Sequence, residues 1–436
     1  MDVKREVLYG SILEQNQICG GNNFISIPGR IGNSSTKLNL DEDILSKHLM
    51  MVGGTGCGKS NAFYHILGQL RERLTPNDVV IVFDTKGDFY SRFGRPEDLV
   101  IGNSKEYRKK SVKWNIFREI VADGWEKENI ESNAQEISWA IFRDSIDKSK
   151  DPFFPNAARD VFAAILMTMV NAGTSDKEYR NECLYNSELK KAFDTSDIFD
   201  IKGLIESNPD VASITSYIGD GQNGQALGVY AEMLGIVRKL LTGVFAEHGS
   251  FSVRNFVKKR GGRTLFVEYD LSIGNTLTPI YSLIFDLALK EAMGRDTKTG
   301  SIYLFCDEFK LLPLLQHIED GVNFGRSLGV KIIAGLQSVN QILEVYGNSR
   351  GKNILAGFSS VFSFRTNDVD SRKYTTGLYG KNIVIEKRKT MSNTLIEEKH
   401  EGNSVEDWNV CDLNIGEAVI GLPFSRPFKF QFDLFV

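Results

Sequence analysis

Residues 53–60, Gly53-Gly54-Thr55-Gly56-Cys57-Gly58-Lys59-Ser60, satisfy the pattern G-x-x-x-x-G-K-[ST] at every fixed position. A loop of this kind does one chemistry. Its successive backbone N–H groups surround the β-phosphate of a nucleoside triphosphate, the lysine reaches the β/γ oxygens, and the serine hydroxyl ligates Mg²⁺. Gly53, Gly54, Thr55, Gly56, Cys57, Gly58, Lys59 and Ser60, followed by Asn61, are thus the candidate nucleotide-binding residues, with Ser60 a metal ligand. ATP and Mg²⁺ are the expected cofactors. Phosphoryl transfer also needs an acidic partner for the metal and a group that orients the attacking water. Asp307-Glu308 offers both at the end of the apolar run Ile302-Tyr303-Leu304-Phe305-Cys306: Asp307 on the metal side, Glu308 polarising water. Gln337 ends another apolar run, where an amide can bond a phosphoryl oxygen or the lytic water and report hydrolysis. Arg326 could stabilise transition-state charge as an arginine finger, a role often supplied by a neighbouring subunit. The alternative for Arg326 is an ordinary cation at a helix C-terminus.

These groups can act together only if the chain brings them to one edge of a sheet. The run Leu49-Met50-Met51-Val52 predicts a buried strand, and 61–74 carries Phe63, Ile66, Leu67 and Leu70 at helical spacing. Phosphates would then sit at a helix N-terminus, where unpaired N–H groups favour anions. Val79-Val80-Ile81-Val82-Phe83-Asp84 is a continuous run of the type buried in parallel sheets. It ends in the polar turn Asp84-Thr85-Lys86-Gly87-Asp88, at the strand end where open α/β sheets bind ligands. Further strands are expected at 264–269, 301–307, 330–336 and 360–364, with a helix at 277–293. From about 116 to 250 the β-branched runs vanish and helical periodicity takes over, as in 133–146 and 157–170. Residues 1–48 read as small strands, and 417–422 with 427–434 as a closing hairpin.

The expected fold is therefore α/β: a mostly parallel, doubly wound sheet around a phosphate loop, with an inserted all-α domain. The boundaries read as 1–115 for the N-terminal strands and first part of the nucleotide-binding domain, 116–260 for the insertion, and 261–436 for the second part. Bulk properties agree with an ordinary globular protein of 436 residues, with 42% hydrophobic and 25% charged residues. The net charge of −4 supplies no global attraction to nucleic acid, so any such contact must come from local patches. The five cysteines, Cys19, Cys57, Cys183, Cys306 and Cys411, show no metal-type spacing and fit a reducing compartment. No apolar stretch of about 18 residues and no signal-peptide core is present, so the expectation is a cytoplasmic protein.

The phosphate loop G-G-T-G-C-G-K-S-N, the strand and turn V-I-V-F-D-T-K-G-D, the triplet D-E-F and the series G-R-S-L-G-V, L-Q-S and Y-G resemble the type IV coupling proteins of conjugation. These form the TraD/TraG-like branch of the HerA/FtsK superfamily. The resemblance runs from about residue 45 to 436. It implies a RecA-like core, a homohexameric ring when active, and ATP-driven movement of DNA through its channel. By position it implies phosphate and Mg²⁺ contacts for Lys59 and Ser60, metal and water roles for Asp307 and Glu308, a finger acting in trans for Arg326, and a γ-phosphate sensor in Gln337. Trp114-Asn115-Ile116-Phe117 resembles the W-N-P-[FL] segment before the family's helical domain, with Ile116 in place of the proline. Most members begin with transmembrane helices. This sequence shows none, which implies a separate membrane partner, a start after the anchor, or a role away from the membrane.

Candidate DNA phosphate contacts are Arg108-Lys109-Lys110 with Lys113, the run 254–263 with Arg254, Lys258, Lys259, Arg260 and Arg263, and Lys387-Arg388-Lys389. The last group lies in 386–401, polar enough to read as a mobile loop. Lys86 and Lys352 are weaker candidates. The leading expectation is an ATP-hydrolysing DNA translocase that moves DNA, single-stranded by preference, or a relaxase–DNA complex towards a secretion channel. Relaxase and channel or membrane-anchor proteins are its expected partners. Two alternatives stay open: a HerA-like duplex translocase with a nuclease or defence partner, and a nucleotide-gated adaptor that docks relaxase or effectors through the helical insertion.

Overall fold

The structure, a computed structural model, describes residues 3–13, 23–294, 300–389 and 395–436; Cys19 lies outside them. The strands in chain order are β1 (Val3–Tyr9), β2 (Ile25–Ile31), β3 (Ser34–Leu40), β4 (Leu49–Val52), β5 (Val79–Asp84), β6 (Leu99–Ile101) and β7 (Arg263–Glu268). They continue with β8 (Ile302–Cys306), β9 (Val330–Leu336), β10 (Ser360–Phe364), β11 (Lys381–Lys389), β12 (Leu395–Asn403), β13 (Glu417–Gly421) and β14 (Phe428–Phe432). One 11-stranded sheet runs in the order β3-β2-β14-β13-β10-β4-β9-β8-β5-β7-β6. From β10 to β6 every neighbouring pair is parallel, while β13, β14, β2 and β3 extend the sheet antiparallel. The parallel strands are apolar on both faces because both faces are covered. One core joins Met51, Val80, Phe305 and Ile333 to Phe63, Ile66 and Leu67 of the helix Lys59–Arg71. The other joins Met50, Ile81, Phe83 and Ile332 to Tyr281 and Ile284 of the helix Gly274–Ala292. By contrast β14, Phe-Lys-Phe-Gln-Phe, alternates buried and half-buried positions, as a one-sided antiparallel strand should.

Between Ile116–Ile120 and Val253–Lys259 every element is a helix. The chain leaves and returns at one point. Trp114 and Phe251 form a parallel bridge, and Asn115 N–H donates to Phe251 O at 2.9 Å. Beside them the fully buried Glu119 carboxylate accepts from Trp114 Nε1 (2.8 Å), Ser252 Oγ (2.8 Å), Val253 N (2.7 Å) and Arg254 N (3.2 Å). Burial pushes the Glu119 carboxyl up, and these donors oppose it. Among the described residues one helix, Phe153–Ser175, is long and apolar enough to cross a membrane. Its apolar positions, including Val161, Phe162, Ile165 and Leu166, are buried in the core.

The segment 386–401, read as a mobile loop, is instead largely an antiparallel hairpin of β11 and β12, with β1 as a third strand. Charged side chains hold it together across the strands. Lys387 pairs with Glu6 (3.0 Å) and Glu397 (3.3 Å), and Lys381 with Glu401 (2.9 Å). The side chains of Arg388 and Lys389 lie outside the described residues.

Candidate active site

The phosphate loop connects β4 to the helix Lys59–Arg71, and its backbone needs glycine at two places. Gly56 and Gly58 have φ of 74° and 109°, and a Cβ on Gly58 would come within 2.7 Å of Gly416 Cα. The loop is fixed by its neighbours in the sheet: Gly53 N–H donates to Leu336 O at 3.1 Å and Gly54 N–H to Arg365 O at 2.9 Å. Lys59 is buried, and its Nζ donates to Gly53 O at 2.5 Å and Gly54 O at 3.0 Å. The ammonium is thus held inside the curve of the loop. Asn61 faces elsewhere: its side chain bonds Asp433 O (2.9 Å) and accepts from Phe435 N–H (2.8 Å), tying the helix to the C-terminal segment.

Three strand ends converge on this loop, because β4, β9 and β8 are adjacent and parallel. Asp307 follows β8, and Ser60 Oγ donates to its carboxylate at 3.3 and 3.5 Å. Glu308 comes next and accepts from Gln337 Nε2, just past β9, at 2.8 Å. The second carboxylate oxygen of Glu308, Oε1, is buried without a protein partner. Burial pushes both carboxyls up; Lys86, Lys59 and Ser60 oppose this at Asp307, and Gln337 opposes it at Glu308. The arrangement provides a hydroxyl and a carboxylate facing one another for a divalent cation. It also provides a carboxylate with one oxygen, Glu308 Oε1, that no protein group among the described residues engages.

The chain matches the family described as the type IV secretion-system coupling protein DNA-binding domain over residues 34–410. It belongs to that family. Coupling protein TraD of Escherichia coli (strain K12) is 20% identical over 392 residues, covering 85% of this chain and 50% of TraD, so the chain spans about half the length of that relative. Among solved structures, the bacterial conjugative coupling protein TrwBdeltaN70 in its unbound monoclinic form is 20% identical with a TM-score of 0.72, covering 92% of this chain and 88% of that one. TrwB in complex with the non-hydrolysable ATP analogue ADPNP gives 19% and 0.71, with 99% and 95% covered. VirB4 of Thermoanaerobacter pseudethanolicus gives 11% and 0.58, with 96% and 98% covered. The fold is the TrwB-like one, a RecA-like α/β core carrying a helical domain.

Within this family fold Lys59, Ser60, Asp307, Glu308 and Gln337 stand together, whereas Arg326 does not. It lies in the turn Gly325–Leu328 before β9, at the opposite sheet edge, exposed and paired with Asp43 at 2.9 Å. Three residues near the loop carried little or no sequence signal. Lys86, a weak candidate for DNA, points its Nζ at Ser60 Oγ (3.4 Å) and Asp307 Oδ2 (3.8 Å). The buried Asp84 shapes that turn by accepting from the N–H groups of Lys86, Phe89 and Tyr90. Arg365 follows β10 and lines a cleft of ≈ 500 Å³ with Thr55, Gln337, Asp368 and Ile415. A charged residue ending the strand beside the phosphate-loop strand was the available clue. Ile415 had none, because only the fold brings Gly416 against the loop, with Gly416 N–H donating to Cys57 O at 2.9 Å.

Proposed function

We propose that this chain is an ATP-hydrolysing motor that moves DNA, single-stranded by preference, in conjugative transfer. The observation that carries the reading is the meeting of Ser60 with Asp307 and of Gln337 with Glu308 beside the phosphate loop, in a member of a family described by DNA binding. A magnesium nucleotide fits these residues. The buried Glu308 Oε1 is without a protein partner, and the loop glycines leave backbone N–H groups at a helix N-terminus. TrwB has been solved with ADP and Mg²⁺. Here Lys59 and the N–H groups of Gly54–Ser60 would hold the phosphates, and Ser60 and Asp307 the metal, whose charge would stabilise the transferring phosphoryl group. Glu308 takes a proton from the attacking water at Oε1 or Oε2. Gln337, bonded to Glu308, would orient that carboxylate, and its amide would bond a γ-phosphate oxygen or the lytic water when nucleotide is bound.

The domain division 1–115, 116–260 and 261–436 belongs to this proposal. So do a homohexameric working form, with Arg326 acting on a neighbour's site, and a cytoplasmic position at the membrane's inner face through a partner. The test is ATP turnover with and without single- and double-stranded DNA over a range of salt. Stimulation by DNA, greater for single strands, is expected. Intact nucleotide binding with no stimulation by either DNA at any salt would overturn the motor reading.

A further inference from the structure

The basic runs separate once their surroundings are seen. Arg254 is only 3% exposed and pairs with Asp123 (2.5 Å) and Glu291 (3.0 Å); Lys258 pairs with the same two acids. Lys387 is engaged by Glu6 and Glu397 within the hairpin. These cations are structural. The segment after β6 differs: Lys105, Arg108, Lys109 and Lys110 are all exposed. Arg108 and Lys113 share Glu247, at 3.3 and 2.9 Å. Among the described residues Lys105, Lys109 and Lys110 have no carboxylate partner within ion-pair distance, and Glu106 is the acid within the segment.

This segment also rests on the active-site turn. Tyr107, buried amid the lysines, donates its hydroxyl to Gly87 O at 2.9 Å, and its ring meets Tyr90 edge-on at 5.2 Å. Burial, with Glu106, Asp84 and Glu268 nearby, pushes that hydroxyl up to about 12, so it stays a donor. Gly87 has φ of 74°, and a Cβ there would meet the Tyr107 hydroxyl at 3.2 Å. The preceding residue is Lys86, whose ammonium lies beside Ser60 and Asp307. It occupies ground that a divalent cation would share.

We propose that Lys105, Lys109 and Lys110 bind a nucleic-acid phosphate backbone, and that this occupancy is relayed through Tyr107 and Gly87 to Lys86 at the metal-binding edge. The proposal rests on the DNA-motor reading above and adds which patch touches DNA and how the site senses it. A backbone drawn onto Lys105, Lys109 and Lys110 pulls on Tyr107, and the turn carries Lys86 away from Asp307, freeing that carboxylate for the metal.

The test has two arms. In the first, a fluorescent single-stranded oligonucleotide is titrated by anisotropy at several salt concentrations. Against wild type, the variant Lys105→Ser/Lys109→Ser/Lys110→Ser should flatten the log K against log salt slope by about 2, at about 0.7 per lost single-strand contact. A control, Lys177→Ser/Lys190→Ser/Lys191→Ser, should keep the wild-type slope. In the second arm, DNA should lower the Mg²⁺ concentration needed for half-maximal binding of a fluorescent ATP analogue by wild type. Tyr107→Phe, which loses one hydroxyl, should bind DNA normally and lose that shift. Wild-type slope in the triple variant overturns the patch, and a retained shift in Tyr107→Phe overturns the relay. No binding of DNA by wild type even at low salt would overturn the DNA-motor reading as well.

Discussion

Arg326 and Lys59 should complement each other between subunits. The geometry requires it if Arg326 is a finger. Gly53 is fixed to Leu336 at the end of β9, while Arg326 precedes β9 at Val330. A strand of this length spans about 20 Å, at about 3.3 Å per residue, beyond the reach of any side chain, so Arg326 cannot reach the nucleotide held by its own chain. Its pairing with Asp43 is solvent-exposed on both sides, 56% and 58%, and such pairs contribute little, so the guanidinium is readily released to a phosphate on a neighbour. Removing an arginine finger costs about 10³–10⁵ in turnover, so Arg326→Ala should keep nucleotide binding and fall to about a thousandth of wild-type rate or less. Lys59→Ala should also be inactive. In a random equimolar mixture a site works when the subunit holding nucleotide retains Lys59 and its neighbour retains Arg326, which is about one site in four whatever the ring size. ATPase of the mixture, measured with DNA after mass photometry has verified subunit exchange, should therefore recover to about a quarter of wild type. A mixture no more active than the mean of its two components would refute the trans assignment, as would an Arg326→Ala protein that turns over normally.

Three further outcomes follow from other parts of the structure. Glu308→Gln should bind a fluorescent ATP analogue as wild type does and lose about 10²–10⁴ in steady-state turnover, since it removes the proton acceptor while keeping the side-chain shape next to Gln337. Glu119→Ala leaves four buried donors unpaired where the helical region joins the core, and should cost about 3–5 kcal/mol by urea unfolding; a loss below about 1 kcal/mol would show that the junction relies on something else. His48, buried with its Nδ1 accepting from Ile332 N–H at 3.1 Å, has its pKa lowered to about 4 by burial. Because the folded value is depressed below 6.5, the stability it confers is complete above that pH and is lost as pH falls towards 4. Relative to His48→Asn, which tolerates the φ of 60° and can still accept from Ile332, wild type should lose about 2 kcal/mol more stability between pH 7.5 and pH 5.

What could be read in the sequence, and what could not, divides along physical lines. Strands buried on both faces announce themselves, because continuous runs such as 79–84 and 330–336 have no other stable environment, and β5 and β9 begin and end at those residues. That Asp307 and Gln337 end such strands was legible for the same reason; that their neighbours meet, Ser60 with Asp307 and Glu308 with Gln337, depends on β4, β9 and β8 being adjacent in the sheet. Where stability comes from paired charges rather than burial, the signal fails. The segment 386–401 read as a loop because Lys387 looks solvated until Glu397 and Glu6 are placed opposite it. The same blindness made Arg254 and Lys258 look available to DNA, since Asp123 and Glu291 are distant in sequence. Lys86 is the most consequential case. A lone lysine in a polar turn has no periodicity and no pattern, and only the parallel pairing of β5 with β8 brings it to Asp307. Charge in this protein is thus assigned by topology: cations matched by distant acids build the fold, while Lys105, Lys109 and Lys110, exposed after β6 at the carboxyl edge of the sheet and without an acid partner among the described residues, are available to a polyanion.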